Sequence, residues 1–304
     1  MNYIKKFYGK EYLNNKRMIL SHMQKPKGIP YFLVSNSSGA KIRQKEFNKY
    51  LKLAYHHNII DNDLRSRLMS TEWETFFQAR QELMCAYFIE KILKYKISFY
   101  PKGADNSIGD FSIKVSNNEE IFVEVKAPIR ESSNVTWVGN DSDVIMRNVK
   151  RARSQMPSND TKNLIMFAGD LRILISQEDI GIIEALYGEH IITFLVGPNG
   201  PLSEPGSSFK PSGLFQPAAN TRISAVAILE DFMGSPYLDS CFKHVFTEGE
   251  LPFNKKLPRH IFRYVFKVYH NPYAKNPIDI AVFKDWPQFV FNKNEMEWIN
   301  KNEE

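Results

Sequence analysis

The chain has 304 residues, of which 43% are apolar and 24% are charged, and its formal net charge is +6. These values are ordinary for a soluble globular protein, and the length is sufficient for one large domain or two small ones. The mild positive charge suits a polyanionic partner, although many basic proteins bind no nucleic acid.

Cysteine content and hydropathy exclude several classes of protein. The only two cysteines, Cys85 and Cys241, do not form a CxxC pair, so the sequence excludes a thiolate zinc site. A chain this poor in cysteine is typical of a reducing compartment, and we expect a cytoplasmic protein. No apolar run approaches the length of a membrane span, and the charged N-terminus lacks the apolar segment of a signal peptide.

Residues 1–70 predict a polar, helical N-terminal segment. In "KEFNKYLKLAYHHN", Phe47, Leu51 and Ala54 recur with the spacing of one helix face. The Pro-, Gly- and Ser-rich stretch "KPKGIPYFLVSNSSGAK" predicts a connection around a short apolar strand. The adjacent histidines His56 and His57 diverge in direction on a helix, so we expect solvated side chains rather than metal ligands.

Residues 71–200 alternate between helix and strand patterns and form the predicted core. Thr71 and Glu74 have the spacing of a capping box at the start of a helix. A broad apolar face from Trp73 to Ile92 indicates that this helix packs inward. The following pattern predicts, in order, a strand near 97–100, a hairpin over 108–128, a helix over 141–156, a strand from 163, a helix over 180–187 and a strand over 190–196.

Residues 201–304 predict a C-terminal extension that packs on this core. It begins with a loop rich in Pro, Gly and Ser, and it contains two strand-like segments, "RISAVAIL" and "HIFRYVFKVYH". We expect these strands to extend the sheet of the core.

The hairpin carries charges at positions where a core strand would not be expected to hold them. Side chains alternate along a strand, so Glu124 and Lys126 lie on the same face, and an antiparallel partner can bring Asp110 close to Glu124. Two adjacent carboxylates repel each other unless a cation lies between them, and oxygen ligands select Mg²⁺ or a similar ion. Lys126 is then placed to hold or deprotonate a water beside a phosphate.

This arrangement resembles the PD-(D/E)xK nuclease superfamily, which includes many restriction endonucleases and junction resolvases. The matching residues are Gly109-Asp110 and then Glu124-Val125-Lys126, and Gly109 stands where the motif has proline. The resemblance covers residues 72 to 170. It implies an α/β fold with a restriction-endonuclease-like mixed β-sheet flanked by helices.

The resemblance also implies roles for residues on the two helices around the hairpin. A helix before the first core strand often supplies a further acid, for which Glu82 is the best match and Glu90 the second. The helix after the hairpin can present Gln or basic residues to substrate, and Arg147, Arg151 and Gln155 recur on one of its faces. Asp110, Glu124 and the Val125 carbonyl would bind metal, while Lys126 and Glu82 would complete the catalytic set.

The sequence therefore predicts a Mg²⁺-dependent nuclease, with Mn²⁺ as a substitute, that acts on DNA more as an endonuclease than as an exonuclease. An RNA-directed nuclease and a non-catalytic nucleic-acid-binding or interaction module of the same fold are the alternatives. A homodimer is compatible with the resemblance, and no membrane partner is expected. In the simplest structural interpretation, Glu124 and Lys126 are solvated charges on an exposed edge strand, and Glu82 is a surface residue of its helix.

Overall fold

The computed structural model divides the chain into two units, residues 1–99 with 229–265 and residues 100–228 with 266–304. The predicted sequence regions 1–70, 71–200 and 201–304 remain predictions. Within the described part of the chain, no helix is both long enough and apolar enough to cross a membrane. The described residues are 2–21, 30–103, 106–117, 119–128, 141–157, 160–168, 180–193, 196–197, 200–201, 206–209, 212–217, 219–234, 261–292 and 295–299.

The first unit is mainly helical, as the sequence predicts for its N-terminal part. A π-helical turn over Phe88–Ile92 follows its last helix, and the strand β1, Lys96–Phe99, comes next. The helices are α1 Tyr3–Tyr8, α2 Lys10–Ser21, α3 Tyr31–Val34, α4 Ser38–His56, α5 Asn62–Leu68 and α6 Trp73–Tyr87.

Three local predictions in this unit are wrong in whole or in part. The apolar run "YFLV" is the short helix α3 rather than a strand, and its first turn is closed by a bond from the Leu33 amide to the Pro30 carbonyl. Short apolar runs fit either structure, and a preceding proline favours a helix start. The N-cap of α6 is Glu72, which makes no side-chain capping bond, so the predicted capping box does not form. Trp73 and Ile92, at the two ends of the predicted inward face, are 49% and 42% exposed.

The second unit contains the predicted hairpin and most of the strands. Strands β9 and β10 belong to it up to residue 228 and from residue 266, respectively. A 3-10 turn over Ile280–Phe283 precedes the last two strands. The elements are β2 Phe111–Lys114, β3 Glu120–Lys126, α7 Asp141–Gln155, β4 Lys162–Ala168, α8 Ile180–Tyr187, β5 His190–Thr193, β6 Val196–Gly197, β7 Gly200–Pro201, β8 Gly206–Phe209, β9 Ala225–Gly234, β10 Ile261–His270, β11 Gln288–Asn292 and β12 Glu295–Ile299.

Seven of these strands are neighbours in one mixed sheet, in the order β2-β3-β4-β9-β10-β11-β12. The pairs β2–β3 and β11–β12 are antiparallel, whereas β3–β4 and β10–β11 are parallel. The expected α/β architecture with a mixed, helix-flanked sheet is therefore confirmed. The strands after residue 201 continue the sheet beyond β4.

The centre of this sheet is buried on both faces. All residues from Ile121 to Val125 in β3, and all from Asn163 to Ala168 in β4, are buried. Parallel strands that are covered on both sides show such continuous apolar runs. The predicted stripe of α7 packs here and is fully buried, which confirms the helical prediction; its members are Ile145, Val149, Ala152 and Met156. Glu124, the charged residue between Ile121 and Val125 in β3, therefore lies within a packed interior.

Candidate active site

The register of the hairpin brings its two acidic positions together. Phe111 pairs with Val123 and Ile113 pairs with Ile121, so one further step along the ladder places Asp110 opposite Glu124. The Asp110 amide donates to the Val123 carbonyl over 3.1 Å, which anchors the start of β2 on β3. The alternation of the two strands thus positions both carboxylates at one end of the hairpin, as the sequence predicts.

Asp110 is oriented by the backbone of β3. Its Oδ2 accepts a hydrogen bond of 2.6 Å from the Val125 amide, so the carboxylate lies against the segment between Glu124 and Lys126. The preceding Gly109 is required by packing, because a Cβ at this position would lie 2.4 Å from Cε1 of Phe122. Glycine at this position, which is proline in the PD-(D/E)xK motif, therefore lets the chain approach the Phe122 ring closely.

Lys126 connects the hairpin to helix α7. Its Nζ donates to Glu124 Oε1 and to Gln155 Oε1, over 2.6 Å in each case. The Glu124 residue is only 4% exposed, whereas the Lys126 side chain is 16% exposed. The cluster is thus mostly enclosed, and the ammonium group sits at its accessible side.

The charge and donor set of this cluster suit a hard divalent cation. Asp110 and Glu124 carry two negative charges against the single positive charge of Lys126, so a further cation is attracted. Within the described ranges, no group of three or more His, Cys, Asp or Glu side chains is placed to hold a metal. Mg²⁺ fits, because it commonly uses one or two carboxylates and keeps several waters.

Glu82, the predicted auxiliary acid, lies in the first unit. Both of its carboxylate oxygens accept from Arg67 Nη1, over 2.8 and 2.7 Å, and Gln78 Nε2 donates to Oε1 over 3.1 Å. Glu82 is 7% exposed, so the interpretation of it as a plain surface residue is wrong. Its catalytic role stays a prediction.

The predicted phosphate-binding residues share one side of α7. Arg147, Arg151 and Gln155 recur every four residues, and all three are exposed. Gln155 is the member that contacts the hairpin, through Lys126. Arg147 and Arg151 are exposed and are therefore available to an external ligand.

Sequence reasoning missed a hydrogen bond between His57 and Glu90 in the first unit. His57 Nε2 lies 2.5 Å from Glu90 Oε2, so His57 is not a simply solvated residue. Burial opposes ionisation of Glu90, but hydrogen bonds from Lys91 and His57 outweigh it and lower the pKa of this carboxyl. The partners are far apart in sequence, and no local spacing rule would have joined them.

Comparisons with protein-family models, with curated proteins and with solved structures give no match for this chain. The assignment of a function therefore depends on the geometry of the cluster and on the chemistry of its residues.

Proposed function

We propose that the protein is a metal-dependent nuclease of the PD-(D/E)xK superfamily that hydrolyses phosphodiester bonds in DNA. The observation that carries the proposal is the contact of the Lys126 ammonium with Glu124 and Gln155, beside the Asp110 carboxylate on the neighbouring strand. The proposal includes a restriction-endonuclease-like arrangement of β2, β3, α7 and β4 around this cluster.

The carboxylates of Asp110 and Glu124, with the Val125 carbonyl, are the groups that would hold Mg²⁺ or Mn²⁺. A bound ion supplies charge stabilisation at a phosphate and makes water more acidic. The bond from the Val125 amide fixes the Asp110 carboxylate, so its direction does not depend on a ligand. A preorganised acceptor of this kind costs little reorganisation when charge arrives.

We assign Lys126 to the step in which a water molecule attacks the phosphate. A lysine ammonium is a compact charge on a flexible stem, so it can leave Glu124 and orient a water or a phosphate oxygen. Gln155 accepts from the same nitrogen and limits the directions in which the ammonium can turn. Charge that develops on the attacking and phosphate oxygens is then stabilised by a donor already in place.

The burial of Glu124 favours this proposal over the interpretation in which Glu124 and Lys126 are solvated charges on an edge strand. β3 lies between β2 and β4 in the sheet, and Glu124 is 4% exposed, so Glu124 is not a solvated residue of an edge strand. Burying a carboxylate is costly unless it is paired and hydrogen-bonded, and a site with a chemical task explains why the cost is tolerated. The binding-module alternative would keep the fold but would not need Lys126.

Lys126→Ala separates an enzyme from a binding module. Parent and variant would be incubated with plasmid DNA, linear DNA and RNA in Mg²⁺ and in Mn²⁺, while affinity is measured in Ca²⁺. We expect the variant to cleave on the order of 10²-fold more slowly or worse, with affinity nearly unchanged. Lys114→Ala, which removes an exposed lysine from β2, is the matched control.

The other outcomes have distinct meanings. Equal cleavage by parent and variant would show that Lys126 is not catalytic and would overturn the proposal. Binding without cleavage by either protein would favour the non-catalytic module, and cleavage of RNA alone would move the substrate class to RNA.

A further inference from the structure

A second cluster of cations surrounds a cleft of about 280 Å³ in the same unit, where α7 ends and the chain turns into β4. Arg153, Arg222 and Lys275 line it together with polar side chains. Pockets for small organic ligands typically enclose about 300–1,000 Å³ and are mostly apolar. This cleft is smaller and polar, so its size and chemistry suit a single anionic group.

Arg153 is held in place by a neutral acceptor. Its Nη1 donates to Asn220 Oδ1 over 2.9 Å. The amide of Asn220 is fixed in turn, because its Nδ2 donates to the Leu214 carbonyl over 2.7 Å. Asn220 has a φ of 58°, a left-handed conformation that asparagine tolerates better than most residues. The guanidinium is therefore oriented by a group that carries no charge.

Arg222 is also oriented by neutral groups. Its Nη1 lies 3.4 Å from the carbonyl oxygens of Arg153 and Met156, at the C-terminal end of α7. These contacts partly satisfy carbonyls that have no partner inside the helix, and they offset the negative end of the helix dipole. Neither Arg153 nor Arg222 has a carboxylate within ion-pair distance in the part of the chain that the structure describes.

The acid that pairs with a cation of the cleft is weakly held. Asp160 Oδ1 lies 3.0 Å from Lys275 Nζ, and the two side chains are 83% and 63% exposed. Exposed pairs of this kind contribute little and exchange readily with other ligands. An incoming anion could therefore displace Asp160 and bind Lys275 together with the guanidinium groups of Arg153 and Arg222.

We infer that this cleft binds one backbone phosphate of the nucleic acid on which the proposed nuclease acts. The inference rests on the proposed function, because α7 carries both Gln155, which contacts Lys126, and Arg153, two residues earlier. Guanidinium groups match phosphate geometry with two parallel donors. The cleft anchors the strand, and the Lys126 cluster cuts it.

The test compares variants that change the charge of the cleft in opposite directions. Arg153→Ala/Lys275→Ala removes two exposed cations and keeps Arg222 on the end of α7, whereas Asp160→Asn removes the competing acid. Fluorescence anisotropy of a labelled duplex DNA and a labelled duplex RNA in EDTA would measure nucleic-acid binding over a range of salt concentrations, and isothermal titration calorimetry would measure the binding of inorganic phosphate. The control is Lys114→Ala/Lys284→Ala, which removes two exposed cations of the same unit that do not line the cleft.

We expect the cation-removing variant to bind DNA about 3- to 30-fold more weakly. The magnitude of the slope of log K against log salt should fall by about 0.9, which is the contribution of the one phosphate that the cleft contacts. Asp160→Asn should bind about 2- to 5-fold more tightly, an increase that loss of stability cannot produce. Equal binding by the cleft variant and the control would overturn the inference, and so would a failure of the parent to bind either nucleic acid. An effect on inorganic phosphate alone would reassign the cleft to free phosphate and would also overturn it.

Cleavage under single turnover at saturating DNA distinguishes this inference from the proposed function. The cleft variant should keep the parent's rate once it is saturated, whereas Lys126→Ala should bind normally and cleave slowly. If binding depends on the cleft but no protein cleaves, the nuclease proposal fails and the phosphate site stands.

Discussion

Glu82 in the first unit and Glu124 in the second are buried to nearly the same degree, at 7% and 4% exposure, but they are held in different ways. Glu82 receives both of its bonds of 2.7–2.8 Å from Arg67, whose Nε also pairs with Asp63. Glu124 is bonded by Lys126, whose nitrogen also contacts Gln155. The Glu82 carboxylate is held by the rigid, planar guanidinium of Arg67, whereas the Glu124 carboxylate is bonded by the compact charge of Lys126 on a flexible side chain.

Burial of a charge therefore does not by itself identify a functional site. Releasing Arg67 would break three bonds within the first unit at once, so this pair is suited to stability. The Lys126 ammonium can swing away while the Asp110 carboxylate stays fixed by the Val125 amide. The second arrangement can therefore exchange its cation, which a metal-dependent site requires.

The greatest loss of stability should come from disrupting the pair of Arg80 with Asp231, the most enclosed ion pair among the described residues of the first unit. Burial alone would lower the pKa of the Arg80 guanidinium. The attraction of the neighbouring Asp231 carboxylate is larger than this effect, so the pKa is raised. Asp231→Asn should lower the free energy of unfolding by about 3–5 kcal/mol, because it leaves a buried charge uncompensated. Denaturant titration would measure the loss. Asp160→Asn, in an exposed pair, should cause little or no loss of stability, and equal losses in the two variants would contradict this distinction.

A smaller effect should separate Glu82 from Asp110 directly. Glu82→Gln should lower stability by about 1–3 kcal/mol, because it weakens the charged bonds with Arg67. Asp110→Asn should leave stability unchanged or raise it slightly, since asparagine still accepts from Val125 and a like charge beside Glu124 is removed. Both would be compared by thermal and chemical unfolding without added metal. A loss in Asp110→Asn as large as that in Glu82→Gln would mean that Asp110 is structural.

The elements of the fold follow largely from local patterns in the sequence. The α7 stripe from Ile145 to Met156 and the alternation of β3 identify their elements because periodicity is a local property. The positions of Asp110, Glu124 and Lys126 on one hairpin follow from the same alternation. In contrast, the pairing of Arg153 with Asn220 joins residues distant in sequence, and no spacing rule predicts it.

A modest effect is expected from the basic face of α7. Arg147→Ala/Arg151→Ala should weaken binding to all DNA sequences alike, by a few-fold, and should lower the salt slope by about 2. Anisotropy titrations with several unrelated duplexes would measure both quantities, with Lys114→Ala/Lys284→Ala as the control. A change limited to one duplex would indicate base recognition. No change would mean that this face of α7 is solvated and does not contact DNA.

The smallest effect concerns a buried group that is kept neutral, His270. Its Nε2 lies 2.9 Å from Gln288 Oε1, and Gln288 Nε2 donates to the Ile280 carbonyl, so Nε2 of His270 carries the proton. Burial lowers the pKa of His270 below its ordinary value. The unfolded chain therefore takes up a proton first as the pH falls below about 6.5, and stability should decline until the folded state is protonated as well.

His270→Gln should remove this part of the pH dependence, whereas His56→Gln, at an exposed position, should retain it. Unfolding curves between pH 8 and pH 5 provide the measurement. If the stability of the parent rose as the pH fell from 8 to 5, and His270→Gln did not alter this pH dependence, the assignment of His270 as a buried neutral group would be contradicted.

The most direct test of the central claim is a Mn²⁺ titration followed by electron paramagnetic resonance. The parent should bind Mn²⁺, and Asp110→Asn/Glu124→Gln should lose that binding, while Glu82→Gln keeps the metal affinity of the Asp110–Glu124 pair. Lys126→Ala should bind Mn²⁺ as tightly as the parent or more tightly, because it removes a cation that competes for Glu124 Oε1. Unchanged Mn²⁺ affinity in Asp110→Asn/Glu124→Gln would contradict the account, because the hairpin carboxylates would then not be the metal site.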